Sequence, residues 1–206
     1  MPYSFFASPV EFYVFASMFI IFIISEAVIK VYSEINRQRS RTERKRKYFS
    51  SIYIIIIVVI VVLFIRSGFS ASGHGVLNAA MLLRFPHVFY FLGIVFMLGG
   101  TVLRCVSVIT LKRAFTVVVQ TTDDQKLIKH GVYKLLRNPS YTGILLFVTG
   151  AALSLRSVAA AILAVIFFTI FFSVRIKVEE KALRERFGQE FDEYCTKTWK
   201  LIPFIW

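Results

Sequence analysis

Residues 87–111 read HVFYFLGIVFMLGGTVLRCVSVITL, a run of 25 in which Arg104 is the single Lys, Arg, Asp or Glu. A helix needs roughly 20 mostly apolar residues, rising about 1.5 Å each, to cross a hydrocarbon core about 30 Å thick. This run therefore predicts a membrane-spanning helix. Gly93, Gly99 and Gly100 lie within it, and small residues let helices approach closely in lipid, so helix packing is the reading for all three. On either side, Phe12–Val31 and Tyr48–Ile65 meet the same test. Tyr141–Leu155 and Val158–Val174 are shorter and separated only by Arg156 and Ser157, which predicts a tight helical hairpin. Composition agrees: 57% of the 206 residues are hydrophobic and 16% aromatic, with a mean hydropathy of +0.68, too apolar for a soluble domain of this size. The expected fold is all-α, a polytopic integral membrane protein of about five transmembrane helices.

The net charge of +13 raises the question of nucleic acid, but its distribution answers it differently. Residues 30–47 carry eight Lys/Arg, residues 112–137 six and residues 175–200 seven, whereas the opposite side has only Arg66, Arg84 and Arg156. Twenty-one against three (8 + 6 + 7 against 3) is a positive-inside signal that places the N-terminus outside and the C-terminus in the cytoplasm. The run Arg37–Lys47 suits anionic headgroups as well. The expected partners are thus membrane lipids and not nucleic acid. The first apolar block lacks a basic leader and a small-residue cleavage site, so it reads as a retained span. Cys105 and Cys195, and His74, His87 and His130, are too scattered for a metal site or a disulfide framework. Glu26 and Arg104 fall inside spans, where charges are costly and face protein or water; a paired or snorkelling charge is the reading for each.

Lys112–Tyr141 differs in character, being polar with interspersed apolar residues, and it ends in His130-Gly131-Val132-Tyr133-Lys134-Leu135-Leu136-Arg137-Asn138-Pro139-Ser140-Tyr141. A loop of this length in a small membrane protein is usually functional. Pro139 suits the first turn of a helix and Asn138 its cap, while the same helix start offers N–H donors to a ligand carboxylate. Gly131 permits close backbone approach, and Tyr133 and Tyr141 offer rings for an adenine or a sulfonium. Where the last span ends, Arg175 and Glu179 share one helix face. They read either as a surface ion pair or as a carboxylate receptor at the hydrocarbon boundary, since guanidinium binds carboxylate at two points. Beyond them Val178, Ala182, Leu183 and Phe187 continue as an amphipathic helix to Gly188, and Phe191, Tyr194, Trp199, Ile202 and Phe204 fold the tail back on the bilayer surface. No GxGxxG turn or Walker loop is present. Residues 1–111 are read as three anchoring spans with a basic loop, and residues 112–206 as the catalytic region.

Leu127–Tyr133, Arg137–Gly143, Glu179-Glu180 with Leu183, Phe187-Gly188, Glu190-Phe191 with Tyr194, and Ile202-Pro203-Phe204 together resemble the isoprenylcysteine carboxyl methyltransferase family. The resemblance runs through residues 115–206 in unbroken motif order and is similar to short, prokaryotic-type members. It implies a membrane enzyme that uses S-adenosyl-L-methionine under the cytoplasmic loop and tail, without a metal, and methylates the carboxylate of a prenylated cysteine or another lipid-like carboxylate. By motif position it implies that Gln120, Gln125, Lys126, Leu127, Ile128, Tyr133, Asn138, Pro139, Ser140, Tyr141 and Glu179 contact the cofactor. Arg175 would hold the acceptor, and Arg175 and Glu179 form the catalytic pair. Asn138 stands where the family commonly has histidine, Lys197 where it has arginine and Trp199 where it has proline. Two further readings stay open: a methyltransferase for a lipid amine or phenolic lipid, which would need a base such as His130, Tyr133 or Glu180, and a non-enzymatic helical partner protein, which would bind no cofactor.

Overall fold

The computed structural model describes residues 6–39, 86–111, 127–156 and 158–205. The expected span at Tyr48–Ile65, and Gln120, Gln125 and Lys126, lie outside the described residues. Five helices are described: α1 (Pro9–Arg39), α2 (Val88–Leu111), α3 (Pro139–Ser154), α4 (Val158–Phe187) and α5 (Gln189–Thr196), with a 3-10 turn at Gly131–Lys134 before α3. Among the described residues there is no strand, only an isolated parallel bridge between Leu136 and Trp199. The fold is the all-α integral membrane architecture expected. Pro9–Tyr32, Val88–Leu111 and Ala161–Phe187 are long and apolar enough to cross a membrane. α3 has 16 residues, about 24 Å of helix.

Local chemistry explains where the helices stop. α3 begins with Pro139 at its first position, where the missing N–H costs nothing. The hairpin between α3 and α4 turns through Arg156 at φ 58°, and its N–H donates to Leu153 O at 2.8 Å. α4 is one unbroken helix of 30 residues, so the last span and the amphipathic stretch expected after it are a single rod about 45 Å long. It ends at Gly188, whose φ of 51° suits glycine after a helix, with its N–H closing on Arg184 O at 2.9 Å.

α1 and α2 run in the same direction: Glu11 meets His87 at 2.7 Å near their starts, and Glu26 meets Arg104 some four turns further along both. α3 returns antiparallel to α2, and two pairs of glycines make their contact. A Cβ built on Gly93 would lie 2.5 Å from Gly150 O, and one on Gly150 2.6 Å from Gly93 O. A Cβ on Gly100 would lie 2.5 Å from Gly143 O, and one on Gly143 2.7 Å from Gly100 O. These distances are shorter than any carbon–oxygen contact, so the backbones touch with no side chain between them. Gly99, expected to pack likewise, faces no described atom within 4 Å; it lies one residue, about 100°, around the helix from Gly100. Gly143 and Gly150, which carry half of this contact, were not singled out from sequence. The main core lies beside it, with Phe22 of α1 stacked on Phe147 of α3 at 3.9 Å and Phe168, Phe172 and Ile176 of α4 closing the other side. Ile20, Ile24 and Val28 of α1 and Val95, Val102 and Ile109 of α2 remain exposed in the described structure, as lipid-facing positions require.

The glycine contact gives a direct test. Gly100→Ala or Gly143→Ala should destabilise the protein in detergent by about 2 to 3 kcal/mol, through backbone overlap that no rotamer relieves. Gly99→Ala is the control and should melt within about 0.5 kcal/mol of wild type. Equal effects at positions 99 and 100 in thermal melts would refute the close crossing.

Candidate active site

The segment Arg137-Asn138-Pro139-Ser140-Tyr141-Thr142 is used in three directions at once, because a helix start fans successive side chains around its axis. Towards the tail, Asn138 donates its side-chain N–H to Lys200 O at 2.9 Å, and Thr142 donates its hydroxyl to Leu201 O at 2.6 Å. Towards α2, Ser140 Oγ accepts from Nη1 of Arg104. Towards α4, Tyr141 donates its hydroxyl to Glu179 Oε1 at 2.5 Å. Asn138 does occupy the cap position, but its side chain makes no capping bond; the tail takes that amide instead.

Arg137 locks the tail in place. Its Nε donates to Glu180 Oε1 at 3.1 Å, and its Nη1 to Cys195 O at 2.8 Å and to Thr198 O. Lys200 adds a contact to the other oxygen of Glu180 at 3.4 Å. The backbones join too: Arg137 N–H donates to Trp199 O at 2.8 Å and Trp199 N–H to Leu135 O at 3.0 Å. Proline at position 199 would lack the second donor, so the departure from the family pattern there adds a bond. Leu201 is fully buried in the main core, and Phe191 and Tyr194 of α5 are buried as well. The tail is thus a built part of the site.

Arg175, Glu179 and Tyr141 form the central group. Arg175 Nε donates to Glu179 Oε1 at 3.1 Å, and its guanidinium carbon lies 5.5 Å from the centre of the Tyr141 ring. Phe172 also lies against that ring, its own ring inclined by 22° at 4.9 Å. The face-sharing read from the four-residue spacing is therefore present, and the pair is sheltered, with side-chain exposures of 20% and 24%. The pair is thus more sheltered than a fully exposed surface ion pair.

Tyr133 sits in the 3-10 turn, buried, with its hydroxyl 3.4 Å from Ser107 O, and its backbone carbonyl accepts the Tyr194 hydroxyl at 2.6 Å. Burial first, then the neighbouring Tyr194 and Glu179, hold its phenol far above the ordinary tyrosine range against the opposing pull of Arg104. Burial likewise raises the Tyr194 phenol, with Arg137 opposing. Gly131, which opens the turn, has φ 61°, the left-handed conformation that glycine adopts without strain. Leu127 and Ile128 lie half-buried in the approach to it, and His130 is exposed. Pro139 is fully buried.

The structure thus brings Tyr133, Ser140, Tyr141, Arg175 and Glu179 together around the start of α3 and the C-terminal half of α4. Sequence reasoning missed Phe172, Arg137 and Glu180 as structural members, and missed that Glu26 and Arg104 pair with each other. A signal for the last was available: these were the two charges left inside spans, of opposite sign.

The phospholipid methyltransferase family profile matches residues 88–190, half of the chain, which therefore belongs to that family. Over 117 residues the chain is 36% identical to a probable protein-S-isoprenylcysteine O-methyltransferase of Oryza sativa subsp. indica, covering 56% of this chain and 61% of that one. It is 32% identical over 115 residues to protein-S-isoprenylcysteine O-methyltransferase B of Arabidopsis thaliana, covering 55% and 58%. It is 36% identical over 116 residues to the enzyme of that name from Saccharomyces cerevisiae, covering 55% and 48%. The chain thus spans about half to three fifths of these curated relatives. Among solved structures, it shares the fold of a eukaryotic intramembrane Ras methyltransferase, an isoprenylcysteine carboxyl methyltransferase. The TM-score is 0.68 at 24% identity, covering 98% of this chain and 70% of that one.

If Arg137 holds the tail, Arg137→Ala should free it. Tryptic cleavage after Lys197 or Lys200 in the folded protein should then speed up about tenfold or more, since each charge-assisted bond lost contributes about 1.5 to 3 kcal/mol. Cleavage at the wild-type rate would show that the tail is held by its apolar contacts alone.

Proposed function

We propose that the protein is an S-adenosyl-L-methionine-dependent carboxyl O-methyltransferase acting on a prenylated cysteine or another lipid-like carboxylate at the cytoplasmic membrane face. The observation that carries this reading is the sheltered Tyr141–Glu179–Arg175 group at the inner end of α4, in a chain whose relatives are named isoprenylcysteine O-methyltransferases. Residues 112–206 are proposed to carry the chemistry on the anchor formed by residues 1–111. The parallel course of α1 and α2, together with the apolar run at residues 48–65, supports five crossings, and the Lys/Arg asymmetry supports the N-terminus outside.

The residues present fit the cofactor. Glu179 receives both Tyr141 and Arg175 on Oε1, so Oε2 is the oxygen suited to a ligand ammonium. The rings of Tyr141 and Tyr133, both buried, are proposed to pack against the sulfonium or the adenine. The side-chain N–H of Asn138 is taken by the tail, so its proposed contact would use Oδ1 or the backbone. Gln120, Gln125, Lys126, Leu127 and Ile128 are proposed to complete the cover.

When bound, S-adenosyl-L-methionine supplies a sulfonium-borne methyl group, which passes to a carboxylate oxygen as the carbon–sulfur bond breaks and a thioether is left. A carboxylate acceptor is already ionised near neutral pH and needs no base. The protein's work is therefore capture and alignment. The Nε bond to Glu179 fixes the plane of the Arg175 guanidinium, which would hold the acceptor carboxylate at two points. Its attraction weakens as charge is neutralised in the transition state, so it acts through orientation rather than through electrostatic acceleration. The tail, with Leu201 and Ile202 against the core, limits water at the weak nucleophile.

The same geometry disfavours an amine or phenol acceptor. Tyr133 keeps its proton, Glu180 is engaged by Arg137 and Lys200, and His130 stands exposed, outside the central group. None is placed as the base such an acceptor requires.

Purified protein incubated with methyl-labelled S-adenosyl-L-methionine and a prenylcysteine analogue should yield label released by mild base. Arg175→Lys should lose about tenfold or more in kcat/KM while still binding S-adenosylhomocysteine. Glu179→Gln should weaken that binding about ten- to a hundredfold in calorimetry. Base-stable label on a lipid, with Arg175→Lys near wild type, would instead establish the rival methyl acceptor.

Orientation is tested separately. In a background lacking both native cysteines, cysteines placed singly at Ser40, Ser72 and Thr122 should react from inside, outside and inside. Labelling of positions 40 and 122 from opposite faces would overturn the topology.

A further inference from the structure

Glu26 of α1 and Arg104 of α2 are 1% and 3% exposed, and nothing in the methyl transfer described above uses them. Arg104 gives Nε and Nη2 to the two carboxylate oxygens of Glu26, the latter at 3.0 Å, and Nη1 to Ser140 Oγ. The guanidinium is thus a planar fork with two prongs on α1 and one on the first turn of α3. Ser140 immediately precedes Tyr141, whose hydroxyl meets Glu179.

As a device for stability alone, such a pair is a poor choice. Desolvating two charges is costly, and apolar residues of similar volume commonly serve as well or better. The helices it joins are also already fastened, by the glycine contact between α2 and α3 and by Phe22 on Phe147 between α1 and α3. What apolar residues cannot supply is direction. A guanidinium fixed in its plane by a two-point carboxylate holds its remaining nitrogen in one place. From the opposite side the tail pulls on the same turn through Asn138 and Thr142. The rotation of that turn about its axis, and hence the placement of the Tyr141 ring, lies between these two sets of bonds.

We infer that Arg104, braced by Glu26, is a positioning residue: through Ser140 it sets the first turn of α3 so that Tyr141 meets Glu179 in the geometry the site requires. This rests on the methyltransferase reading above. It assigns to α1, otherwise an anchor, an indirect part in cofactor binding.

A mutant cycle on the full chain tests it, with S-adenosylhomocysteine calorimetry, kcat for the prenylcysteine analogue and thermal melting as readouts. The double variant Glu26→Leu/Arg104→Met should melt within a few degrees of wild type. It should bind S-adenosylhomocysteine about tenfold more weakly, with a parallel fall in kcat. Ser140→Ala should shift both in the same direction, Ser140→Thr should restore them, and Ser140→Ala added to the double variant should cost nothing further. Wild-type affinity and kcat in the double variant would overturn the inference. So would an undiminished effect of Ser140→Ala in the double background, which would mean that Ser140 acts on the cofactor directly. Should the double variant fail to fold, Arg104→Lys replaces it in the same cycle with the same outcomes. If wild type itself neither binds S-adenosylhomocysteine nor transfers a methyl group, the functional reading falls and this inference with it.

Discussion

The touching backbones of α2 and α3 are the constraint from which the rest of the site follows. Gly93 and Gly100 are seven residues apart on one helix, and Gly143 and Gly150 seven apart on the other. Both pairs therefore sit on one face about two turns apart, and the antiparallel crossing has a single register. Arg104 lies one turn beyond Gly100, and Ser140 one turn before Gly143. A crossing that fixes the second glycine pair also fixes the meeting of Arg104 with Ser140, with little left for side chains to decide. In hydrocarbon there is no water to drive helices together, so close van der Waals contact of this kind carries much of the association.

Lipid also explains why the charges come in groups. At and below the membrane boundary an uncompensated carboxylate is expensive, and the three acidic residues that matter here each have cationic company. Glu26 has Arg104, Glu179 has Arg175, and Glu180 has Arg137 and Lys200. The groups divide the labour by depth and exposure. The first is sealed and bears on the helix start, the third binds the tail, and the second, partly open, is the group proposed to meet a ligand. Truncating one partner of the sealed pair would leave a buried charge behind, so its contribution is measured by removing both or by a substitution that keeps the charge.

Much of this was legible in the sequence, because periodicity, length and charge bias act locally. The spans at 12–31, 87–111 and 158–174, the hairpin at Arg156, the face shared by Arg175 and Glu179, and the helix start at Pro139 all follow from rules that look no further than a few residues. Long-range pairing did not follow. Nothing in the neighbourhood of Asn138 distinguishes a capping amide from one bonded to Lys200, 62 residues away. Nor does sequence spacing say which glycine of Gly99-Gly100 faces a partner, since adjacent residues on a helix differ by about 100° in direction. Glu26 and Arg104 were recognisable as costly, and therefore as accompanied, but their mutual contact spans 78 positions and depends on α1 and α2 running parallel.

The site is consequently completed by the tail that follows α5. The floor comes from α2 and α3, the polar group from the far end of α4, and the clamp on the α3 helix start from the tail, through Arg137, Asn138 and Thr142. Each set of bonds draws on Arg137–Thr142, so this segment is settled only when every partner has arrived. In the proposed function, a site assembled this way would keep its ligand-facing residues at the level where the hydrocarbon ends. On the proposed reading, the C-terminal end of α4 and the tail would reach water there, while α1, α2 and the rest of α4, long and apolar enough to cross a membrane, would remain in lipid. On the proposed function, that level is the one place where a water-borne donor and a lipid-borne carboxylate can meet without either leaving its own phase, and the sheltered Arg175–Glu179 pair is proposed to stand at it.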